Sequence, residues 1–238
     1  MIYSAFAHIA RARVVAGFAI AVLALAVLAP LAHAQRSGAD PAINRQYVDP
    51  DFAQWVARFE RPGREVYDKR RQIVAATGIR PGMVVADIGA GTGLFTRLFS
   101  PAVGPAGKVI AVDISRVFID NVLRSAHAQG LTNVEVIVNT QTDTLLPPES
   151  VDIAFLSDTY HHFEHPHEMM RSIHRALRPG GHVVVIDFHK HAHSSKWVKG
   201  HVRAGSETVI QEIEAAGFKL IGKETFLSEN YFLRFTRQ

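Results

Sequence analysis

An acidic residue followed by three evenly spaced glycines is the feature of this sequence with the clearest chemical meaning. The motif comprises Asp87, Gly89, Gly91 and Gly93. Residues 83–88 form an apolar run rich in β-branched side chains, which predicts a buried strand, and residues 94–99 suit a helix. Glycines let a backbone approach a ligand closely, and the free N–H groups of a first helical turn face that ligand. We therefore expect a strand, turn and helix that bind a nucleoside.

The spacing of the glycines separates two kinds of nucleoside cofactor. A dinucleotide fingerprint, G-x-G-x-x-G, counted from Gly89 would need a third glycine where the chain has Leu94, which argues against a nicotinamide oxidoreductase. The acidic residue before the glycines resembles instead motif I of the class I S-adenosylmethionine (SAM) methyltransferases. An ordinary strand–turn–helix is the alternative, and residues downstream distinguish the two. The cofactor contacts that the resemblance implies here are Asp87, Gly89, Ala90, Gly91 and Gly93.

A second acidic residue, Asp113, ends the next predicted strand, residues 107–113. An acidic side chain at such a strand end can accept hydrogen bonds from both hydroxyls of a ribose. The alternative is that Asp113 caps the helix predicted over residues 115–129. Because the glycine motif precedes Asp113 in the chain, we favour the ribose role. Ile114 is also a predicted cofactor contact.

The loop after the third predicted strand, residues 133–138, departs from the pattern of the resembled family. Members often carry Gly-Asp-Ala here, and that acidic side chain meets the adenine amino group. Gln141 occupies the acidic position, and its amide oxygen can still accept a hydrogen bond from adenine. The backbone N–H of Thr142 can reach a ring nitrogen. Gln141 and Thr142 are therefore the predicted adenine contacts.

The loop after the fourth predicted strand, residues 151–157, carries the strongest candidates for catalysis. Its sequence, Asp-Thr-Tyr-His-His-Phe from Asp158, resembles the same stretch in the small-molecule and ubiquinone-type methyltransferases. In that family the loop is the floor of the reaction chamber, and loops at the carboxyl ends of parallel strands carry ligands. The resemblance implies that Asp158, His161 and His162 are catalytic and that Asp158 also contacts the cofactor. Adjacent residues point apart, so at least one of the two histidines is expected to be structural.

The remaining motifs extend the resemblance over about residues 51–238. Residues 178–181, Arg-Pro-Gly-Gly, predict a turn before a fifth strand at 183–188, and residues 218–227 and 231–236 alternate as an antiparallel hairpin. The resemblance implies an α/β, Rossmann-like class I methyltransferase sandwich, with a mostly parallel seven-stranded sheet of order 3-2-1-4-5-7-6 and helices on both faces. It implies SAM as cofactor and methyl transfer to an unidentified small-molecule acceptor.

Composition narrows the classes of partner and of chemistry. The chain has no cysteine, which excludes disulfides and thiolate nucleophiles. Its net charge of +4 comes from 26 basic and 22 acidic residues, a balance too even to indicate nucleic-acid binding. No Asn-Pro-Pro-Tyr motif of nucleic-acid methyltransferases is present. We expect no nucleic-acid partner, and the sequence does not indicate an oligomeric state.

Residues 1–34 have the pattern of a secretory signal peptide. Arg11 and Arg13 precede an apolar run over residues 14–29, and Ala32-His33-Ala34 supplies an A-x-A cleavage site. The run is shorter than the about 20 residues of a spanning helix. We therefore predict a cleaved leader and a periplasmic or secreted mature protein without a membrane partner. An uncleaved N-terminal helix that anchors the protein in a membrane is the alternative.

The rest of the chain divides into an arm and one domain. Residues 35–50 are polar, contain two prolines and a glycine, and predict a linker. Residues 51–238 are interpreted as the methyltransferase domain. Its first part, residues 51–77, is predicted to be a helical lid, because a helix at this position commonly closes over the cofactor in the family. The lid candidates are Glu60, Arg64, Tyr67 and Arg70, and a solvated charged face is the alternative.

Histidines are numerous and raise the question of a metal. His189, His191 and His193 would face one side of an extended segment. A second group comprises His161, His162 and His165. Because the chain lacks cysteine and an H-E-x-x-H helix, we predict no metal site.

The export signal conflicts with the cytoplasmic synthesis of SAM. An exported enzyme would need access to SAM outside the compartment that makes it. The alternative function is therefore an exported, non-catalytic binding module of methyltransferase fold, with a nucleoside or a metal as its ligand.

Overall fold

The computed structural model describes residues 38–238. The leader predicted over residues 1–34, and residues 35–37 of the predicted linker, lie outside the described residues. No helix within residues 38–238 combines the length and apolar character needed to cross a membrane.

Seven strands form one twisted sheet at the centre of the described residues. They are β1 (Val84–Ile88), β2 (Lys108–Asp113), β3 (Val134–Val138), β4 (Val151–Ser157), β5 (Leu177–Phe188), β6 (Phe218–Glu224) and β7 (Asn230–Arg237). The order β3-β2-β1-β4-β5-β7-β6 confirms the predicted sheet. Strands β1 to β5 pair in parallel, whereas β7 lies antiparallel to both β5 and β6. The carboxyl ends of the five parallel strands therefore meet at one edge.

Helices precede and connect the strands. They are α1 (Phe52–Phe59), α2 (Glu65–Asp68), α3 (Arg70–Ala76), α4 (Leu94–Val103), α5 (Arg116–Ala128), α6 (Pro166–Ala176), α7 (Lys196–His201) and α8 (Ser206–Ala215). Two 3-10 helices, Pro41–Tyr47 and Tyr160–His162, complete the described elements.

The central strand β4 shows how the two faces of the sheet are packed. Phe155 packs against Phe95 and Phe99 of α4, with its ring centroid 4.7 and 4.9 Å from theirs. Its neighbour Leu156 joins the core cluster on the other face, which includes Met170 of α6. Side chains of a strand alternate between faces, so a slip of one residue would expose this core. This packing fixes the register of β4 and hence the position of the residues that follow it.

The segment predicted as a turn before the fifth strand lies inside β5. Between the pairs Val151–Leu177 and Ile153–His182, two steps along β4 match five steps along β5. The four residues 178–181 stand opposite the single residue Asp152 and form a bulge in which Gly180 has a positive φ of 80°. The sequence therefore correctly predicted a local change of chain direction at residues 178–181. It placed the start of β5 too late, because β5 pairs with β4 on both sides of the bulge.

The N-terminal segment is more ordered and more broken than the sequence predicts. Within the predicted linker, Asp40 caps the 3-10 helix Pro41–Tyr47, and the backbone N–H of Ala39 donates to the carbonyl oxygen of Phe163 at 2.8 Å. Further along, the predicted lid consists of three helices, with one break between α1 and α2 and another at Lys69, which separates α2 from α3. Residues 38–50 therefore belong to the packed structure.

Glu65 ties α2 to the turn between β6 and β7. Its carboxylate accepts hydrogen bonds from the backbone N–H groups of Ser228, Glu229 and Asn230 at 2.6, 2.8 and 3.1 Å. Burial opposes the charged form, but these hydrogen bonds outweigh it and hold the pKa of Glu65 below its usual value. Stability from this contact is therefore present at neutral pH and is lost as the pH falls through that lowered pKa.

Replacing Glu65 with glutamine tests this anchor. Glutamine offers a single acceptor oxygen, so at least one backbone donor loses its partner, and we expect a loss of about 1–3 kcal/mol in the free energy of unfolding. Urea denaturation at pH 7 measures it, with Glu229→Gln, an exposed residue of the same turn, as the matched control. Equal stability of the two variants would contradict the anchor.

Candidate active site

A cavity of about 410 Å³ lies at the carboxyl edge of the sheet. It is lined by the glycine motif after β1, the end of β2, the loops after β3 and β4, and the N-terminal segment. This is the point where strand order reverses between β1 and β4, and ligands of open α/β sheets bind at such points. The volume suits a small-molecule or nucleoside ligand.

The glycines build the cavity wall in two different ways. Gly89 and Gly91 line it and have φ values of 70° and 53°, which favour glycine. A Cβ at Gly89 would lie 2.3 Å from Cγ2 of Thr159, so backbone and loop meet here without room for a side chain. Gly93 does not line the cavity. It caps α4 at a φ of 77°, and a Cβ there would lie 2.9 Å from Val122.

Asp87 lies at the base of the glycine turn and has a structural partner. Its side chain is buried and accepts a hydrogen bond from the hydroxyl of Thr96 in α4 at 2.6 Å. Burial raises the pKa of Asp87 to about 6, against the hydrogen bond from Thr96. Asp87 therefore links β1 to α4 and holds the turn between them.

Asp113 connects the second strand to the glycine turn. Its Oδ2 accepts from the backbone N–H of Gly91 and its Oδ1 from that of Ser115, both at 2.8 Å. Burial raises the pKa of Asp113 to about 6, while both hydrogen bonds favour the charged form. A carboxylate has about four acceptor sites, so each oxygen can accept one more hydrogen bond from the cavity. The capping contact to Ser115 and a ribose contact are therefore compatible.

Of the other predicted cofactor contacts, Ile114 and Gln141 line the cavity, whereas Thr142 does not. Ile114 is 44% exposed and lines the cavity together with Phe118. Gln141 also lines it, and its Nε2 donates to Oε1 of Glu164 at 3.0 Å, which leaves the amide oxygen free to accept. Thr142 is exposed and is absent from the lining, and its N–H donates to the hydroxyl of Thr140.

Asp158 is held by the N-terminal segment and by β7. Its Oδ2 accepts from Nη2 of Arg64 at 2.5 Å and its Oδ1 from Nδ2 of Asn230 at 2.7 Å. Burial raises the pKa of Asp158, although Arg64 favours its charged form. A φ of 50° turns the backbone here so that the side chain reaches both partners. Asp158 lines the cavity, and its two donors, Arg64 and Asn230, fix the position of its carboxylate.

The two adjacent histidines lie close together rather than apart. They belong to a 3-10 turn, not to an extended strand, and their ring centroids are 4.1 Å apart. His161 is buried outside the cavity lining, and its Nδ1 pairs with Oδ1 of Asp187 at 2.7 Å. His162 lines the cavity, and its Nδ1 pairs with Oδ1 of Asn44 at 2.8 Å.

Opposite electrostatic effects act on these two imidazoles. Burial disfavours a charged His161, but Asp187 outweighs it and raises the pKa of His161 above its ordinary value. Burial, together with the charges of His161 and His201, lowers the pKa of His162 to about 2. His162 is therefore neutral across the physiological range.

Of the four lid candidates, Arg64 reaches the cavity. Glu60 instead forms an ion pair with Arg97 of α4 at 2.7 Å, which fixes the end of α1 over the glycine turn. Arg70 lies over the ring of Tyr67, with its Cζ 4.1 Å from the centroid, and neither of these two residues lines the cavity.

Several residues of the site were missed because they are distant in sequence. Asn44 and Tyr47 lie in the predicted linker, and Asn230 lies at the start of β7. The Asp40-Pro41 pair, which starts the 3-10 helix, and the aromatic ring of Tyr47 were the available signals that residues 38–50 are structured. Tyr47 stacks 4.8 Å from Trp55, as a packed aromatic residue would.

A pair of glycine variants tests the tight turn. Gly82→Ala places a Cβ in open space at a φ of 87°, whereas Gly89→Ala adds a clash with Thr159 to a similar φ. We expect Gly82→Ala to cost about 1 kcal/mol from the left-handed backbone, and Gly89→Ala about 1–3 kcal/mol more from overpacking. Urea unfolding measures the difference. Equal costs would show that the turn has room for a side chain.

Comparisons with known proteins agree with this geometry. Residues 86–185 match the family model described as a methyltransferase domain. A ubiquinone/menaquinone biosynthesis C-methyltransferase, UbiE, of Pseudoalteromonas translucida is 31% identical over 125 residues, covering 52% of this chain and 50% of that protein. The chain therefore spans about half the length of this curated relative.

Solved structures share the fold over most of the described residues. A SAM-dependent methyltransferase from Aquifex aeolicus superposes with a TM-score of 0.70 at 24% identity, over 79% of this chain and 98% of that one. The [4+2]-cyclase SpnF superposes with a TM-score of 0.64 at 22% identity, over 79% of this chain and 77% of that one. The family match therefore identifies residues 86–185 as a methyltransferase domain. The sheet order and the superpositions show that the described residues have the class I SAM-dependent methyltransferase fold.

Proposed function

We propose that this chain transfers the methyl group of SAM to a small-molecule acceptor. The observation that carries the proposal is the Asp113 carboxylate, which is fixed by the glycine turn and retains acceptor capacity toward the cavity. The methyl donor is already activated as a sulfonium, so the protein contributes mainly by positioning the two reactants. Fixed side chains around one cavity suit that task.

The proposed orientation of SAM follows the chemistry of the cavity wall. The ribose hydroxyls donate to Asp113, and the adenine lies against Ile114 with its amino group toward Gln141. The methionine part then extends along Gly89 and Gly91, which brings the sulfonium toward the loop after β4. The carboxylates at this edge favour a cationic ligand.

The cavity also constrains the acceptor. Its wall includes Tyr47, Phe59, Phe118 and Phe163, so we propose an acceptor with an apolar, ring-sized body. The name of the UbiE relative describes C-methylation in quinone biosynthesis, which fits such a body. Because the relative is matched over half its length, the acceptor stays part of the proposal.

The three predicted catalytic residues differ in what they can do. Asp158 forms an ion pair with Arg64 and is also held by Asn230, which suits a positioning role, and His161 lies outside the cavity lining. His162 reaches the cavity, but a pKa of about 2 makes it a weak base. We therefore assign Asp158 and His162 to positioning of the reactants, with the removal of an acceptor proton assigned to neither.

We also propose that residues 1–34 direct export and are removed after Ala34. The export motif favours a second candidate function, an exported binding module that keeps the fold without turnover, and the cyclase SpnF carries the same fold with another chemistry in its name. N-terminal sequencing of the protein recovered from the periplasm should read from Gln35. A first residue of Met1 in the membrane fraction would favour the anchored form instead.

Titration of SAM into the full chain by calorimetry tests the proposed function. We expect a dissociation constant in the micromolar range, which is about −8 kcal/mol. Asp113→Asn should weaken binding about 10- to 100-fold, because it removes charged acceptors of the ribose hydroxyls. The matched control is Asp120→Asn, a partly exposed aspartate of α5 outside the cavity lining. A folded chain that binds no SAM would contradict the proposal.

The same titration has an expected pH dependence. Protonated Asp113 loses acceptor capacity, and burial raises its pKa to about 6 in the free chain. Affinity for SAM should therefore be full above that value and fall as the pH drops below it, by about tenfold per pH unit at the limit. In Asp113→Asn this part of the pH dependence should disappear. If it persists unchanged, another group controls it.

A further inference from the structure

Three histidine rings converge behind the floor of the cavity. His161 and His162 belong to the turn after β4, and His201 is the last residue of α7. One ring nitrogen of each lies within 4.8 Å of the others. The ring of His201 is 5.2 Å from each of its two neighbours, measured between centroids.

Two hydrogen bonds orient the rings for ligation. Asp187 holds Nδ1 of His161 and Asn44 holds Nδ1 of His162. Both Nε2 atoms are thereby left for another partner. A carboxylate that accepts from the remote nitrogen of an imidazole is the usual outer partner of a metal-binding histidine, because it fixes the ring and raises its basicity.

The Nε2 atom of His161 supplies an independent sign of a missing ligand. His161 is 3% exposed, and within residues 38–238 this atom is buried without a hydrogen-bond partner. A buried polar atom left unpaired costs about 1–3 kcal/mol. This nitrogen belongs to a ring that lies beside two other imidazoles, and a ligand shared by the three rings would satisfy it.

We propose that His161, His162 and His201 bind one divalent first-row transition-metal ion, with Zn²⁺ as the best fit. Imidazole nitrogen suits this class of metal, and three protein ligands leave a fourth position to water or substrate, as in catalytic zinc sites. Ligand nitrogens about 2.0–2.1 Å from zinc lie about 3.4 Å apart, so binding draws the rings closer together. His201, at the end of its helix, is the ring best placed to move.

The charges around the three histidines are mixed and set no bar to a cation. Asp187 and Asp158 are negative, whereas Arg58 and Arg203 are the positive side chains that act on these rings. Arg203 is neutralised by Glu212, with Nη2 and Oε2 2.5 Å apart. Asp158 is likewise paired with Arg64, so Asp187, which contacts His161 directly, is the carboxylate that offsets the charge of a bound ion.

This site differs from the histidine group considered from the sequence. Within residues 38–238, the group that meets the geometry contains neither His165 nor His189, His191 and His193. Their spacing in sequence does not bring them to the turn after β4. His201 was not considered, because it lies 40 residues beyond His161 with a strand between them.

A metal here would complete the proposed chemistry. His162 also lines the cavity, so the open coordination position adjoins the acceptor end. A bound Lewis acid would lower the pKa of an acceptor hydroxyl, so that the hydroxyl would release its proton to solvent water before methyl transfer and no side-chain base would be needed. This role rests on the proposed function, whereas metal binding itself does not.

The test is a metal titration of the untagged full chain after treatment with a chelator. Zn²⁺ affinity is measured by competition with a chromophoric chelator, and Co²⁺ binding by the visible absorption of the tetrahedral ion. We expect one metal per chain. His201→Ala should bind about 100-fold more weakly, and Asp187→Asn about 10- to 100-fold more weakly. The matched control is His193→Ala, an exposed histidine outside the group, which should bind like the wild type.

The outcomes separate the two proposals, because SAM binding is measured on the same samples and also reports folding. Wild-type affinity in His201→Ala, or the absence of stoichiometric metal from a chain that binds SAM, overturns the metal site. Equal loss in His193→Ala overturns it as well, since the surface histidines would then hold the ion. A chain that binds zinc through His201 but no SAM retains the metal site and loses the proposed function.

Discussion

The crowding of carboxylates at one edge of the sheet is the constraint on which the rest of the site depends. Parallel strands bring their carboxyl ends together, and Asp87, Asp113, Asp158 and Asp187 lie at or just after four of these ends. Buried carboxylates are costly unless donors surround them. Each therefore has a dedicated partner: a threonine hydroxyl, the backbone of the glycine turn, Arg64 with an asparagine, and a histidine.

This constraint explains why the N-terminal segment is part of the site. Arg64 must reach Asp158 from outside the sheet, so the chain before β1 folds across the cavity. Glu65, the next residue and the first of α2, binds the turn between β6 and β7. Asn230 of β7 is the second donor to Asp158. A cavity whose acids are only partly neutralised favours cations, both the sulfonium of SAM and a divalent metal. The carboxylates at this edge of the sheet thus hold Arg64 of the N-terminal segment and favour both the proposed cofactor and the proposed metal.

The sequence predicted what is encoded locally. The strands, the glycine turn and the position of Asp113 follow from apolar runs, turn residues and a motif within about 30 residues. The strand order came from the resemblance to a known family. The sequence did not predict side-chain contacts between residues that lie far apart along the chain. Asn44 meets His162 across 118 residues, and Asn230 meets Asp158 across 72. The two adjacent histidines were misread because the 3-10 turn that joins their rings has no periodicity to reveal it.

The central claim is that Asp113 receives the ribose of SAM at the glycine turn. A crystal structure of the full chain with S-adenosylhomocysteine tests it most directly. We predict both ribose hydroxyls at hydrogen-bonding distance, about 2.5–3.0 Å, from the Asp113 carboxylate, with adenine against Ile114. A nucleoside bound with its ribose away from Asp113, or a cavity that stays free of ligand at saturating concentration, would contradict the account.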